Sequence, residues 1–442
     1  MPTKFSGFRQ RTMLHCFTYW EIMYKKISRD ERQEESRVKW IKSKCRGTVE
    51  ACTGFGKTRV ALNCITSVLK RYPNFKVLVV VPTELLQKQW IAHLDSKGFS
   101  LNAKVEVINT AITYEHSCDL LIIDEIHKCG ADTFREVFQK VKYLLILGLT
   151  ATLKRLDNKH TIIEKYCPVI DTIPIEVALA NGWVSQFTEY KVYLDVDLTQ
   201  YNEYNKEFNE HFAFFNYDFN LANKCVGKNG LTYRLALRDK LYTGDDKKVR
   251  AQVLNNITNH AKGVMKMIQL RKAFIYSHPA KIRLTRKIIQ SRLNSKIITF
   301  SATTKIAESI GIGEVYTGKS SKKRSADLLE RFAAADSGII NTVKKADEGF
   351  DCPGLSVAII LGMDSSSTKA VQRKGRVIRF EEGKHAEIFT FVIRGTVEEE
   401  WFNKSHEDSE YITIDEENLM HVLKGEPFET YKKKPMSFVY RF

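Results

Sequence analysis

The sequence has no apolar run of roughly 18 residues, no C-x-x-C pair among its nine cysteines, only nine prolines in 442 residues, and no low-complexity linker or internal repeat. Each absence excludes something. Without an apolar run long enough to cross a bilayer, and without the charged, apolar and small-residue order of a secretory leader, the chain is expected to be soluble and cytoplasmic. An odd cysteine count without paired spacing excludes a zinc knuckle or a disulfide framework and predicts free, mostly buried thiols in a reducing compartment. Scarce proline and the lack of linkers predict compact lobes, two or three of them at this length. Acidic residues are also in short supply: 69 Lys and Arg stand against 52 Asp and Glu, a formal charge of +17. Such an excess predicts a polyanionic partner, nucleic acid or an acidic membrane surface.

What is present centres on ACTGFGKT, Ala51 to Thr58. A strand-like run from Thr48 enters it, Gly54 and Gly56 turn it, and an apolar-periodic helix follows from Thr58 to about Tyr72, the context a phosphate cradle requires. The stretch Thr53, Gly54, Phe55, Gly56, Lys57, Thr58 and Arg59 is therefore expected to hold a nucleotide. Backbone N–H groups reach the phosphates past the glycines, Lys57 supplies a point charge, and Thr58 presents a hydroxyl to Mg²⁺ at a helix N-terminus. Upstream, GFRQR puts Gln10 ahead of this loop. Its amide suits both the donor and the acceptor edge of adenine, and a solvated glutamine on a helix is the alternative.

Beyond the loop, KVLVVVPT (Lys76 to Thr83), Val105 to Ile108, DLLIIDEIH from Asp119 and YLLILGLTAT (Tyr143 to Thr152) alternate with helical patterns. That alternation describes an open parallel sheet with its ligand site at the strands' carboxyl ends. Asp124 and Glu125 follow a buried strand, so both carboxylates emerge at that edge. One can hold the Mg²⁺ shell and the other polarise an attacking water, and we assign Asp124 to the metal and Glu125 to the water. From Lys154 to about Val264 the pattern loosens. Here Tyr201, Tyr204, Phe208, Phe212, Phe215 and Phe219 step by 3, 4, 4, 3 and 4, one face of a helix. A core stripe and a set of base-stacking rings both fit that spacing.

A second α/β pattern begins near Met265 and lacks a phosphate cradle of its own. Within it QRKGRVIR sets Arg373, Arg376 and Arg379 three residues apart. Cations so placed suit the negative charge that develops on a transferred phosphoryl group.

ACTGFGKT, VVPTELLQKQW, DEIH, TAT, TVKKADEGFD and QRKGRVIR, in that order and spacing, resemble the motif series of superfamily 2 helicases over about residues 9–393. TATLKRLD and PIEVALANGWVSQF resemble the UvsW, RecG and XPB-like branch, most closely UvsW-type phage helicases. Leu153 departs from that branch's proline, a change expected to affect only a turn. The resemblance implies two RecA-like lobes with parallel sheets, ATP and Mg²⁺ as cofactors, and DNA as partner. It implies that Gln10 and Asp351 bind base and ribose, and that Pro82, Thr83, Thr113 and Thr342 contact the nucleic-acid backbone. His127, Thr150, Thr152 and Gln372 would couple the nucleotide site to lobe movement, and Lys57, Asp124, Glu125, Gln372, Arg376 and Arg379 would form the catalytic set, with Thr58 and Asp124 on the metal.

The expected division is a first lobe over 1–155, an inter-lobe region over 156–263, a second lobe over 264–395, and a C-terminal helix and basic tail over 396–442. With the phosphate loop this near the N-terminus, branch recognition is expected to use the Lys154 to Val264 region, the lobe surfaces or the tail. The expected function is an ATP-dependent DNA helicase or translocase that unwinds or branch-migrates forked and Holliday-type DNA in replication, recombination or repair, acting as a monomer in the cytoplasm, the host's if phage-encoded. A restriction-system motor, an RNA helicase and an ATP-gated junction clamp share the same motifs.

Overall fold

A computed structural model describes residues 27–154, 158–317, 321–343, 352–363, 375, 377, 379, 381–406 and 410–430. In the first lobe, α1 (Arg29–Lys42) leads into β1 (Arg46–Ala51), α2 (Lys57–Arg71), β2 (Val77–Val81), α3 (Glu84–Asp95), β3 (Ala103–Val107), β4 (Leu120–Asp124), β5 (Leu145–Thr150) and β6 (Val169–Ile173). The six strands form a parallel sheet in the order β3-β2-β4-β5-β1-β6. Every residue of β2, VLVVV, is buried. That follows from a strand covered by helices on both faces, where each buried valine contributes about 1.5–3 kcal/mol. Helix α2 lays Val60, Ala61, Cys64, Ile65 and Val68 on the sheet, the i, i+4, i+8 face of an amphipathic helix.

The second lobe comprises β7 (Gln186–Leu194), four helices α4 (Thr199–Ala213), α5 (Phe219–Val226), α6 (Gly230–Leu241) and α7 (Lys247–Ser277), then α8 (Pro279–Ser291), β8 (Lys296–Ser301), β9 (Glu314–Tyr316), α9 (Lys322–Ala334), β10 (Gly338–Val343), β11 (Leu355–Ile360), β12 (His385–Ile393), α10 (Val397–Ser405), β13 (Ile412–Ile414) and α11 (Glu416–Lys424). Its seven parallel strands run β9-β10-β8-β11-β12-β7-β13.

This topology moves the expected boundaries. β6 pairs with β1, so the first sheet extends past residue 155 to Ile173. β7 pairs along its whole length with β12, so the second sheet starts at Gln186 rather than at 264. Helices α4 to α7 are thus an insert within the second lobe, between its first strand and the rest. The insert has its own core of Phe215, Ala222, Cys225, Ile257, Ala261 and Val264, with Phe208 and Phe212 packed against it. Tyr201 is buried as well. Of the aromatic stripe, Tyr201, Phe208, Phe212 and Phe215 are therefore core, whereas Tyr204 is half-buried and Phe219 is 47% exposed.

Helices α7 and α8 are separated at Pro279, which takes the first position of α8, where its missing N–H costs nothing. The eight cysteines among the described residues are free. No helix among the described residues is long and apolar enough to cross a membrane.

Candidate active site

The loop between β1 and α2 turns through positive φ at Gly54 (90°) and Gly56 (96°). A side chain at Gly56 would also collide with the Gln33 amide, since a Cβ there would lie 2.5 Å from Nε2. The result is a bare concave backbone at the N-terminus of α2, suited to an anion. Lys57 Nζ donates to the Ala51 carbonyl at 3.0 Å, which folds the side chain back over the loop and leaves the ammonium further donors. Phe55 is fully buried, its ring against Trp183 at 5.5 Å between centroids, so it fastens the loop rather than facing a ligand. Arg59 is exposed on α2.

Gln33, which the sequence reading passed over, belongs to this loop. It is 3% exposed and its Nε2 donates to Phe55 O at 2.7 Å, while its Oε1 is buried without a hydrogen-bond partner among the described residues. A buried amide oxygen left unpaired costs about 1–3 kcal/mol, so the position favours a donor supplied from outside. The hydroxyl of Thr53 is orphaned in the same way. The signal was available: Gln33, Ser36 and Trp40 fall at i, i+3 and i+7 and mark one buried face of α1. Gln10, proposed for this role, lies outside the described residues, as do Asp351, Gln372, Arg373 and Arg376.

At the end of β4, Asp124 and Glu125 stand side by side at the sheet's carboxyl edge. Glu125 adopts the left-handed conformation, φ 54°, which turns its carboxylate away from the strand path. Asp124 Oδ2 accepts from Trp90 Nε1 at 2.9 Å. Burial, and next the neighbouring Glu125 charge, push the Asp124 carboxyl up to about 6 against the pull of Trp90 and Lys57. Burial would raise Glu125 too, but His127 and then Lys57 more than offset it and bring it to about 2. The two acids are thus driven apart: Glu125 stays ionised, while Asp124 in the bare site has a charge that calls for a cation.

Glu125 Oε2 lies 3.2 Å from His127 Nδ1, and that nitrogen lies 3.0 Å from Thr150 Oγ1. Thr150 Oγ1 in turn donates to Thr152 O at 2.9 Å and accepts from the Thr152 amide at 3.2 Å. The carboxylate at the end of β4 is thereby joined through one imidazole to the turn after β5. Leu153, where a proline was expected, donates its amide to Glu50 Oε1 at 2.9 Å, a bond proline could not make. The departure ties the turn to β1.

The second lobe reaches this site. Gly375 sits against the phosphate loop so closely that a Cβ there would lie 1.9 Å from the Thr53 Cβ. Val377 is buried in the second lobe's core, and Arg379 forms a bridge with Val184 while its carbonyl accepts from Ser185 Oγ at 2.9 Å. Burial holds the Arg379 guanidinium below its ordinary value.

The expected nucleic-acid contacts separate into two kinds. Pro82 and Thr83 follow β2 at the same carboxyl edge, where Thr83 caps α3 by accepting from the Leu86 amide at 3.4 Å. Thr113 is exposed. Thr342 is 1% exposed and its hydroxyl donates to Thr299 O at 2.7 Å within the sheet. Both faces of β10 are buried at this point, since Ile340 and Asn341 are 1% exposed as well, and the Thr342 hydroxyl is engaged inside the sheet.

The family described as helicase conserved C-terminal domain matches residues 280–381, and that described as type III restriction enzyme, res subunit, matches residues 23–117 and 100–155. The DNA 3'-5' translocase XPB2 of Sulfurisphaera tokodaii is 28% identical, over 84% of this chain and 83% of its own length. These matches make the chain similar to superfamily 2 helicases of the XPB-like branch. A putative ATP-dependent RNA helicase of Methanocaldococcus jannaschii is 22% identical over 80% of this chain, which spans 56% of that relative. Among solved structures, S. cerevisiae Dbp5 bound to RNA and ADP BeF3 superposes with a TM-score of 0.54 at 13% identity, covering 86% of this chain and 88% of that one. The two parallel sheets are accordingly RecA-like lobes. That similarity implies ATP use, and the bare loop with the Gln33 and Thr53 atoms unpaired among the described residues fits such a group.

Proposed function

We propose that this chain is a DNA translocase that hydrolyses ATP between its lobes and unwinds or branch-migrates forked and four-way DNA. The observation that carries the reading is the seating of the second lobe's Gly375 on the phosphate loop of the first. A nucleotide held by that loop would feel both lobes, so its hydrolysis can move one against the other.

In this reading Lys57 and the loop amides would hold the phosphates, Thr58 and Asp124 would hold Mg²⁺, and Gln33 would read the base in the place first given to Gln10. Bound there, Mg²⁺ would draw negative charge off the phosphates. Glu125, ionised and aimed by its left-handed backbone, orients the attacking water and takes its proton. His127 holds that carboxylate and relays its position to Thr150 and Thr152. Arg376 and Arg379 supply positive charge from the second lobe. Pro82, Thr83 and Thr113 contact the DNA backbone.

The insert is the strand-parting element. Twelve Lys and Arg against three Asp occupy its stretch from Phe219 to Lys272. At the turn between α4 and α5, Asn216 (φ 50°) and Tyr217 (φ 59°) hold positive φ, and Tyr217 is 62% exposed beside Phe219. Tyr217, which meets Phe212 edge-on at 5.4 Å, and Phe219 are the rings with exposed surface for stacking on bases, unlike the buried stripe.

The test compares ATPase stimulation and product formation on single-stranded DNA, forks, four-way junctions and RNA duplexes. Forks and junctions are expected to stimulate hydrolysis and to be converted to separated or migrated products. Stimulation by RNA duplexes alone would move the reading to an RNA helicase. Junction binding without product would make it an ATP-gated clamp.

A further inference from the structure

The strand that leads into the insert, β7, carries charged and polar residues on a buried face. Glu189, Lys191 and Tyr193 alternate along it, and each meets a polar partner on or capping α10. His406 Nε2 lies 2.8 Å from Glu189 Oε1, Lys191 Nζ donates to Asn403 Oδ1 at 3.0 Å, and the Tyr193 hydroxyl donates to Glu399 Oε1. Residues 189, 191 and 193 share one face of a strand, and 399, 403 and 406 share one face of a helix. The seam is therefore a set of three rungs between two elements of matching period. Aromatic rings wrap it: Phe402 stacks on His406 at 4.0 Å, and Lys191 lies 4.5 Å from the Tyr193 centroid and 4.7 Å from that of Phe402.

The first turn of α10 extends the seam to both places where the chain crosses into the insert. Glu398 is fully buried and pairs with Lys281 at 2.6 and 2.8 Å, in the first turn of α8 just after the insert ends. Its Oε2 also accepts the Ile393 amide at 3.0 Å, and Lys281 donates to Leu361 O at 2.9 Å, so the pair is well satisfied. Glu399 holds Tyr193, just before the insert begins. Between them in this cluster, the Val397 amide donates to the Tyr201 hydroxyl at 3.1 Å, inside the insert's first helix. Arg271, near the end of α7, completes the root by donating to the same hydroxyl at 3.4 Å and lying 4.6 Å from the Phe208 centroid. Three consecutive residues thus grip the outgoing root, the incoming root and the insert itself. The turn before them is tight: Gly395 has φ +75°, and a Cβ there would lie 3.0 Å from Leu198 Cδ1.

We propose that this polar seam is a mount that makes the helical insert move as one body with the second lobe. The inference rests on the reading above that the lobes move with nucleotide. An apolar interface of the same size would hold α10 to β7 but tolerate sliding, because burial is non-directional. Hydrogen-bonded rungs fix a single register, and a satisfied buried pair breaks rather than slips. Lobe motion is then delivered undiminished to Tyr217 and Phe219 at the far end of the insert. Tyr193, Glu398, Glu399 and Lys281 are positioning residues in this scheme.

The test uses the full chain with fluorophores incorporated pairwise at Lys228 in the insert, Glu382 in the second lobe and Lys97 in the first, all exposed. With forked DNA, addition of a non-hydrolysable ATP analogue is expected to shift the Lys228 to Lys97 and Glu382 to Lys97 distances together and to leave Lys228 to Glu382 unchanged. The double variant Tyr193→Phe, Glu399→Leu exchanges one rung for apolar contact. Its thermal midpoint is expected to stay near that of the unaltered chain while the Lys228 to Glu382 distribution broadens at least about twofold. Tyr193→Phe, Glu399→Gln, which keeps the shape without the same bond, should broaden it as well. A Lys228 to Glu382 distance that follows nucleotide as strongly as Lys228 to Lys97, or a double variant with an unbroadened distribution, overturns the mount. Lobes that do not respond to nucleotide contradict the proposed function instead, and the broadening in the variants still decides the mount.

Discussion

Both lobes bury charge, and they use it differently. In the first, Asp124, Glu125 and Lys57 converge at the sheet's carboxyl edge beside buried polar atoms, Gln33 Oε1 and Thr53 Oγ1, that find no partner among the described residues. In the second, Lys281 and Glu398 are fully buried and closed on each other. Burial alone thus does not mark a functional charge. An environment that leaves an acceptor or a cation waiting for a ligand does, whereas a pair whose bonds are complete holds structure in place.

Within the first lobe, the largest effect expected from that difference is in catalysis. Glu125→Gln should lower kcat for ATP by about two to four orders of magnitude, the range for a lost general base, with nucleotide and DNA affinity within a few fold of the unaltered chain. Steady-state hydrolysis and equilibrium binding measure the two halves. Near-normal turnover would place the water-activating group elsewhere.

Lys281→Met provides the counterpart. Leaving Glu398 buried without its cation should cost about 3–5 kcal/mol in a denaturant titration, and Lys281→Met with Glu398→Leu should recover most of that loss. A double variant as unstable as the single one would mean that the pair does more than satisfy itself.

The insert sharpens the contrast between core and exposed rings. Phe215→Ala should destabilise by about 3–5 kcal/mol through the cavity it opens. Tyr217→Ala should change stability by less than about 0.5 kcal/mol, as exposed substitutions do, and yet slow strand separation of a fork. If both variants separate strands at the same rate when folded, the tip is not the parting element.

The smallest effect concerns Asp171, which joins β6 to α1. Arg32 grips it with two bonds of 2.7 and 2.8 Å, Ser36 donates at 2.7 Å, and Lys39 pairs with it. Burial would raise its pKa, but these partners more than offset burial and hold it below the ordinary carboxylate value. A lowered folded pKa means that the contribution is complete above the unfolded carboxylate's pKa and is lost as pH falls through the folded value. Acid titration of stability should therefore show a shallower decline for Asp171→Asn than for the unaltered chain in that window.

How far the sequence could be read follows the same division. ACTGFGKT and DEIH were legible because each packs its chemistry into a few consecutive residues after an uninterrupted apolar strand. β6 and β7 were not, because VIDTI and QFTEYKVYL carry Asp171, Glu189 and Lys191 on buried faces, and those partnered charges erase the apolar pattern that identifies a strand. Both lobe boundaries were misplaced for that reason. Gln33 was missed because its role depends on the closeness of α1 to a loop about twenty residues on, and a single amide announces nothing of that. Thr342 was assigned to nucleic acid from its motif, and only the pairing of β10 with β8 shows its hydroxyl already engaged.

The central claim is that one nucleotide site is shared by two lobes, and Arg379→Ala tests it most directly. ATP hydrolysis in the presence of forked DNA should fall by about three to five orders of magnitude if that arginine supplies transition-state charge as such residues do, while nucleotide affinity in the absence of DNA stays close to that of the unaltered chain. Hydrolysis at the unaltered rate would show that the first lobe completes the site by itself, and would contradict the account.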